Sequence, residues 1–119
     1  MNAERQAIYN KTGGRCYYCG IVLPEKGWHA DHIEAIRRNW WENTCLNPDA
    51  DNEENKVPAC ASCNLQKGSL TVEQFRDKIA QFISSLNQYH NQYIVAKRFG
   101  LVGETGNEVI FWFEREVRE

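Results

Sequence analysis

Residues 29–32 read His-Ala-Asp-His, placing His29, Asp31 and His32 within one short segment, and two cysteine pairs, Cys16-x-x-Cys19 and Cys60-x-x-Cys63, flank it. Each pair is a knuckle able to aim two thiolates at a single tetrahedral zinc. A redox dithiol needs only one such pair, usually at a helix start in a βαβ context, whereas two matched pairs in a reducing compartment favour metal. The competing reading is four ordinary buried thiols. Forty residues separate the pairs, more than the roughly 15 to 20 of a simple zinc ribbon, so the metal would close a long loop. Four thiolates satisfy zinc, which leaves His29, Asp31 and His32 free for other chemistry and Cys45 as a small, separate thiol. A histidine beside a carboxylate offers a metal ligand and a proton acceptor together. On a regular strand His29 and Asp31 point one way and His32 the other, unless a bulge intervenes.

The elements that must position these groups are short. Residues 3–12 read as a helix closed by Gly13 and Gly14. "CYYCGIVL" reads as a turn and a short strand, and "GWHADHIEAI" as a second strand after a turn over Pro24 to Gly27. Trp41 to Val57 is polar and aperiodic, a long loop. "PACASCNLQKGSL" leads into a short helix stopping near Gly68. Thr71 and Gln74 make a capping-box pattern, and Val72, Phe75, Ile79, Phe82, Ile83 and Leu86 share one helical face, a core stripe or a dimer seam. Residues 88–99 continue as a second helix. "LVGETGNEVIFWFERE" alternates across a glycine-rich turn as a hairpin does.

Length, 119 residues, and composition, 42% hydrophobic and 25% charged, fit one globular domain. No apolar run approaches the roughly 18 residues of a membrane span, and the N-terminus lacks the apolar core of a signal peptide, so a cytoplasmic protein without membrane partners is expected. The formal charge is -2, but residues 42–54 hold five carboxylates and no base, and residues 104–119 hold five more. Without these two segments the remainder carries a net +6, compatible with a local basic surface for nucleic acid. Arg37 and Arg38 follow the histidine segment, where guanidinium groups can grip phosphates, although solvated surface charge is the plain alternative. Trp40 and Trp41 read as core or interface plugs more readily than as base-stacking groups.

Cys16-x-x-Cys19, Asp31-His32, Asn55, and Cys60-x-x-Cys63-Asn64 followed by Lys67 and Gly68 together resemble the zinc-containing branch of the HNH, or His-Me finger, endonucleases. The likeness spans residues 13–68, and the tail is similar to that of small HNH proteins of bacteria and their phages. It implies an α+β fold: a ββα-metal (His-Me finger) core stapled by a structural zinc on four cysteines, here with an added C-terminal helix over 71–99 and a β-hairpin over 100–117, in a single domain spanning 1–119. By resemblance, His32 is the general base, Asp31 and Asn64 ligate the catalytic ion, Asn55 braces the loop that orients the base, and His29 lies near metal and phosphate. Lys67 matches a family lysine expected to contact phosphate. Asparagine stands in the third motif position, and oxygen donors on Asp31 and Asn64 favour Mg²⁺ or Mn²⁺ over a second zinc. The implied activity is DNA cleavage or nicking that leaves 5′-phosphate and 3′-hydroxyl ends. Compatible settings are a homo-oligomer or a phage packaging or restriction assembly. The alternative is a non-catalytic zinc-stabilised module that binds DNA or protein.

Overall fold

A computed structural model describes residues 1–35, 38–39, 44–45 and 47–117, with only the backbone at 38–39, 44–45 and 116–117. Arg37, Trp40 and Trp41 therefore lie outside the described residues, as do the side chains of Arg38 and Cys45. The chain divides into two compact units, one formed by Met1–Val72 with Ile110–Glu119 and the other by Glu73–Val109. Among the described residues, no helix is long and apolar enough to cross a membrane.

In the first unit, helix α1 (Ala3–Asn10) starts at Asn2, whose side-chain oxygen accepts from the Arg5 amide at 2.8 Å, filling one of the donors that a helix start leaves open. Strand β1 (His29–His32) pairs antiparallel with the later strand β4 (Lys56–Ala59), in the register His29 to Ala59, Ala30 to Pro58, Asp31 to Val57 and His32 to Lys56. Between them lie the two-residue strands β2 (Arg38–Asn39) and β3 (Thr44–Cys45) and two 3-10 turns, Pro48–Ala50 and Glu53–Asn55. Helix α2 (Ala61–Lys67) follows β4 after one residue, Cys60. The result is a mixed α+β arrangement with a two-stranded antiparallel sheet and an adjoining helix.

Apolar side chains from well-separated stretches fill this unit. Ile8, Leu23, Trp28, Val57, Ala59 and Phe111 are buried. The expected short strand after the first knuckle is reduced to a single bridge between Arg15 and Val22.

The expected C-terminal hairpin is absent: no strand occurs among described residues 100–117, and helix α6 (Trp112–Val117) takes up the end of that stretch instead. The aromatic run found other partners. Trp112 N donates to Tyr18 O at 2.8 Å and Phe113 N to Tyr17 O at 3.2 Å, while the Tyr17 and Phe113 rings lie 4.2 Å apart. The other half of the supposed hairpin belongs to the second unit. There the Glu104 carboxylate accepts from Asn87, Tyr93 and Lys97, the last at 2.7 Å, and these contacts, led by Lys97, hold its pKa down to about 2.

The apolar stripe from Val72 to Leu86 is carried by two helices, α3 (Val72–Ala80) and α4 (Phe82–Tyr89). Gln81 between them keeps right-handed helical angles, and hydrogen bonds from Gln81 N to Asp77 O and from Ser85 N to Gln81 O carry the ladder across it. Helix α5 (Asn91–Arg98) begins after His90, whose extended ψ of 91° separates it from α4.

The first knuckle leaves through Gly20, whose φ of +79° suits glycine and whose Cα faces Trp112 so closely that a Cβ would sit 2.5 Å from Cδ1 of the indole. Gly20→Ala is expected to destabilise the protein by roughly 1–3 kcal/mol or more, through backbone strain and the indole clash together. Urea unfolding monitored by circular dichroism checks this, and an unchanged midpoint would contradict the packing described here.

Candidate active site

The four cysteines of the two knuckles meet although 40 residues separate the pairs. Their sulfur atoms all lie within 4.8 Å of one another, and Sγ of Cys19 stands 3.8 Å from Sγ of Cys60. A tetrahedral zinc with Zn–S bonds of about 2.3 Å needs sulfurs about 3.8 Å apart, so the cluster fits that ion. The knuckles are built alike. The amide of Cys19 points at Sγ of Cys16 at 3.5 Å, and that of Cys63 at Sγ of Cys60 at 3.3 Å. The second contact is also the N-cap of α2, so a sulfur of the cluster that could hold a metal also starts the helix.

The thiols divide electrostatically. A hydrogen bond with Cys63 is the main influence holding Cys16 down to a pKa of about 4, against its burial, and the same bond pushes Cys63 far above the usual thiol range. Burial pushes Cys19 up to about 11. A metal bound by all four sulfurs would have to displace the protons that the thiols still hold.

Beside this cluster, Asp31 is buried at 5% exposure in the middle of β1. Two groups converge on its Oδ2. The Tyr18 hydroxyl, from inside the first knuckle, donates to it at 2.6 Å, and the Lys67 ammonium, from the last turn of α2, stands 3.3 Å away. Burial first, and the carboxylate next, raise the Tyr18 pKa and keep the phenol a donor. Lys67 also donates to the carbonyl of His32 at 3.0 Å.

With 1% exposure, Lys67 spends its charge inside the unit, which corrects the expectation of a surface lysine reaching for phosphate. Asn64 lies three residues before Lys67 and therefore on the α2 face that carries Lys67 to β1. Oδ1 of Asp31 has no hydrogen-bond partner among the described residues.

The four β1–β4 pairs are consecutive, without a bulge, so the alternation expected of a regular strand stands. Asp31 and the exposed His29 belong to one face and His32 to the other. The His32 ring, 15% exposed, places Nε2 at 2.9 Å from Oδ1 of Asp51. That bond, followed by Lys56 at 3.4 Å, holds the Asp51 carboxyl below the usual carboxylate range. Lys56, paired with His32 across the sheet, also meets Glu4 at 2.9 Å.

Asn55 fastens the loop. Its side-chain oxygen accepts from the amide of Glu34 at 2.9 Å, and its side-chain nitrogen donates to the carbonyls of Glu34 at 2.9 Å and Ala50 at 2.7 Å. Its backbone carbonyl accepts from Ile33 at 2.9 Å.

Sequence reasoning passed over Tyr18, Asp51 and Lys56. Tyr18 sits between ligands in "CYYC", where an aromatic reads as core, and Asp51 is one of five carboxylates in its stretch. Only the position of Lys56 directly after Asn55, at the start of a strand, carried any signal. A cleft of about 980 Å³ opens beside Ile33, the residue after His32, and Lys11, Arg15, Tyr17, Trp112 and Phe113 line it.

Among known families, the model of the HNH endonucleases matches residues 16–70, a segment that runs from the first zinc-type cysteine to just past α2. No curated protein and no solved structure matches the chain.

Two measurements follow from this geometry. Titrating zinc into metal-free protein is expected to show one ion per chain with proton release, and an affinity that falls as pH is lowered, because protons then compete for the thiolates. Calorimetry in buffers of different ionisation enthalpy reads this directly, and uptake without proton release would contradict it. Lys67→Met removes the cation from a buried carboxylate and is expected to cost about 3–5 kcal/mol in urea unfolding. A loss under about 1 kcal/mol would contradict the buried pair.

Proposed function

Taking residues 16–70 as an HNH endonuclease segment, we propose that this chain is a metal-dependent DNA endonuclease or nickase. It hydrolyses phosphodiester bonds and leaves 5′-phosphate and 3′-hydroxyl ends. The observation that carries the reading is the pairing of Asp31 and His32 at adjacent positions of β1. The first is clamped to α2 by Lys67, and the second is presented from the opposite strand face with its ring held by Asp51.

In this reading β1, β4 and α2 are the ββα-metal core and the four cysteines hold a structural zinc. Oxygens of Asp31 and Asn64, hard donors from a strand and a facing helix, would hold Mg²⁺ or Mn²⁺, with His29 as a neighbour. Such an ion supplies Lewis-acid stabilisation to the scissile phosphate and the departing 3′ oxygen. His32 takes the proton of the attacking water, a contribution of about 10² to 10⁴ in rate. In-line displacement puts attacking and leaving oxygens on opposite sides of phosphorus, and adjacent strand positions send the imidazole and the carboxylate to opposite faces. Asn55 keeps the loop that carries the partner of the base against the exit of β1.

DNA is the partner. Arg37 and Arg38, a few residues after this strand in the sequence, would grip phosphates on either side of the cut. The cleft beside Ile33 offers Lys11 and Arg15 with aromatic walls, a combination that suits a nucleic acid strand.

One observation favours a second reading, a zinc-stabilised module that binds DNA or protein without cutting. The Lys67 ammonium already neutralises Asp31, as a structural carboxylate requires. Supercoiled plasmid separates the two readings. With Mg²⁺ or Mn²⁺ the wild-type protein is expected to nick or linearise it, EDTA to abolish the reaction, and His32→Ala to lose cleavage about 100-fold or more while retaining DNA affinity. Retained cleavage by His32→Ala would remove the base assignment, and binding without cleavage by the wild type would favour the module.

A further inference from the structure

We propose that Asp51 is a positioning residue that fixes the tautomer and orientation of His32 and steadies the imidazolium formed during the reaction. The proposal rests on the nuclease reading of the site.

Its geometric basis is the contact of His32 Nε2 with Asp51 Oδ1 at 2.9 Å, a distance at which one of the two atoms must carry the shared hydrogen. An ionised carboxylate only accepts, so the hydrogen is on Nε2. In a neutral imidazole the lone pair is then on Nδ1, and His32 can act as a base only through that nitrogen.

Asp51 is itself held from several directions, which is what separates a positioning group from an incidental surface carboxylate. Its backbone amide donates to Pro48 O at 3.1 Å, closing the first 3-10 turn of the loop. The residue before it, Ala50, receives the Asn55 side-chain amide at 2.7 Å, and the same amide group bonds Glu34 O just beyond β1. On the other side, Lys56, cross-strand partner of His32, lies 3.4 Å from the same carboxylate oxygen and is tied in turn to Glu4. The asparagine that the family pattern supplies thus holds the loop, and the loop delivers Asp51.

The proton balance is simple. A water O–H bond breaks as its proton passes to Nδ1 of His32, the hydroxide oxygen attacks phosphorus, and the bond to the 3′ oxygen breaks with that oxygen taking a proton from solvent. Asp51 stays ionised throughout. Its bond to Nε2–H becomes charge-assisted once the ring is an imidazolium, and so is stronger in the transition state than before it. With the carboxylate 48% exposed, orientation rather than deep electrostatic stabilisation is its main contribution.

The test combines kinetics with ring spectroscopy on the full chain. Asp51→Ala and Asp51→Asn are expected to lower kcat for plasmid nicking about 10- to 100-fold, the range seen when outer-shell partners of metal-bound histidines are removed, with KM for DNA within about twofold. Asp51→Glu, which keeps a carboxylate, is expected to recover part of the loss. Nitrogen-15 spectra of the His32 ring are expected to show the Nε2–H form in the wild type and a mixture of tautomers in Asp51→Ala. Wild-type kcat in Asp51→Asn, or an Nδ1–H ring in the wild-type protein, would overturn the proposal. If the wild type cuts no DNA at all, the nuclease reading fails, and the ring spectra alone decide whether Asp51 sets the tautomer.

Discussion

The rest of the site depends on a buried ion pair between Asp31 and Lys67. A carboxylate and an ammonium withdrawn from water are each costly to bury, and they persist here because the same oxygen also receives the Tyr18 hydroxyl while the ammonium reaches the carbonyl of His32. Three elements are fixed by that one knot: the first cysteine knuckle through Tyr18, strand β1 through Asp31, and helix α2 through Lys67. The thiol cluster acts on the same elements from outside. Cys60 and Cys63 stand at the start of α2, and Cys16 and Cys19 bracket Tyr18, so a metal on the sulfurs would hold the helix at one end while the ion pair holds it at the other.

His32, the proposed base, is held by a different set of contacts, from the long segment between β1 and β4. Asn55 ties that segment to Glu34 and Ala50, and Asp51 meets His32. This division is chemically sensible. The group proposed to bind a cation is buried, whereas the group proposed to exchange protons with water is partly exposed and supported by a loop.

Much of this was legible in the sequence, and what was missed has a physical pattern. Cysteine spacing identified the knuckles because tetrahedral ligation restricts geometry to few arrangements. Helices closed by glycine and the extent of α2 were also readable, since their signals are local. The C-terminal hairpin was misread because strand alternation says nothing about partners, and Phe111 to Phe113 pair with Tyr17 and Tyr18 from the other end of the chain. Lys67 looked like a surface charge because no local pattern announces that a lysine will meet a carboxylate 36 residues earlier. Asp51 was hidden for a similar reason. One acid among five carries no mark of the histidine it will face, and only the fold makes the pairing visible.

The proposed nuclease requires a second cation position, distinct from the sulfur cluster, on Asp31 and Asn64. Anomalous diffraction from crystals grown with zinc and soaked in Mn²⁺ addresses it directly. The account predicts a zinc peak among the four sulfurs and a manganese peak within about 2.3 Å of oxygens on both Asp31 and Asn64. A manganese map with no peak at those oxygens, and Lys67 still seated on Asp31, would contradict it.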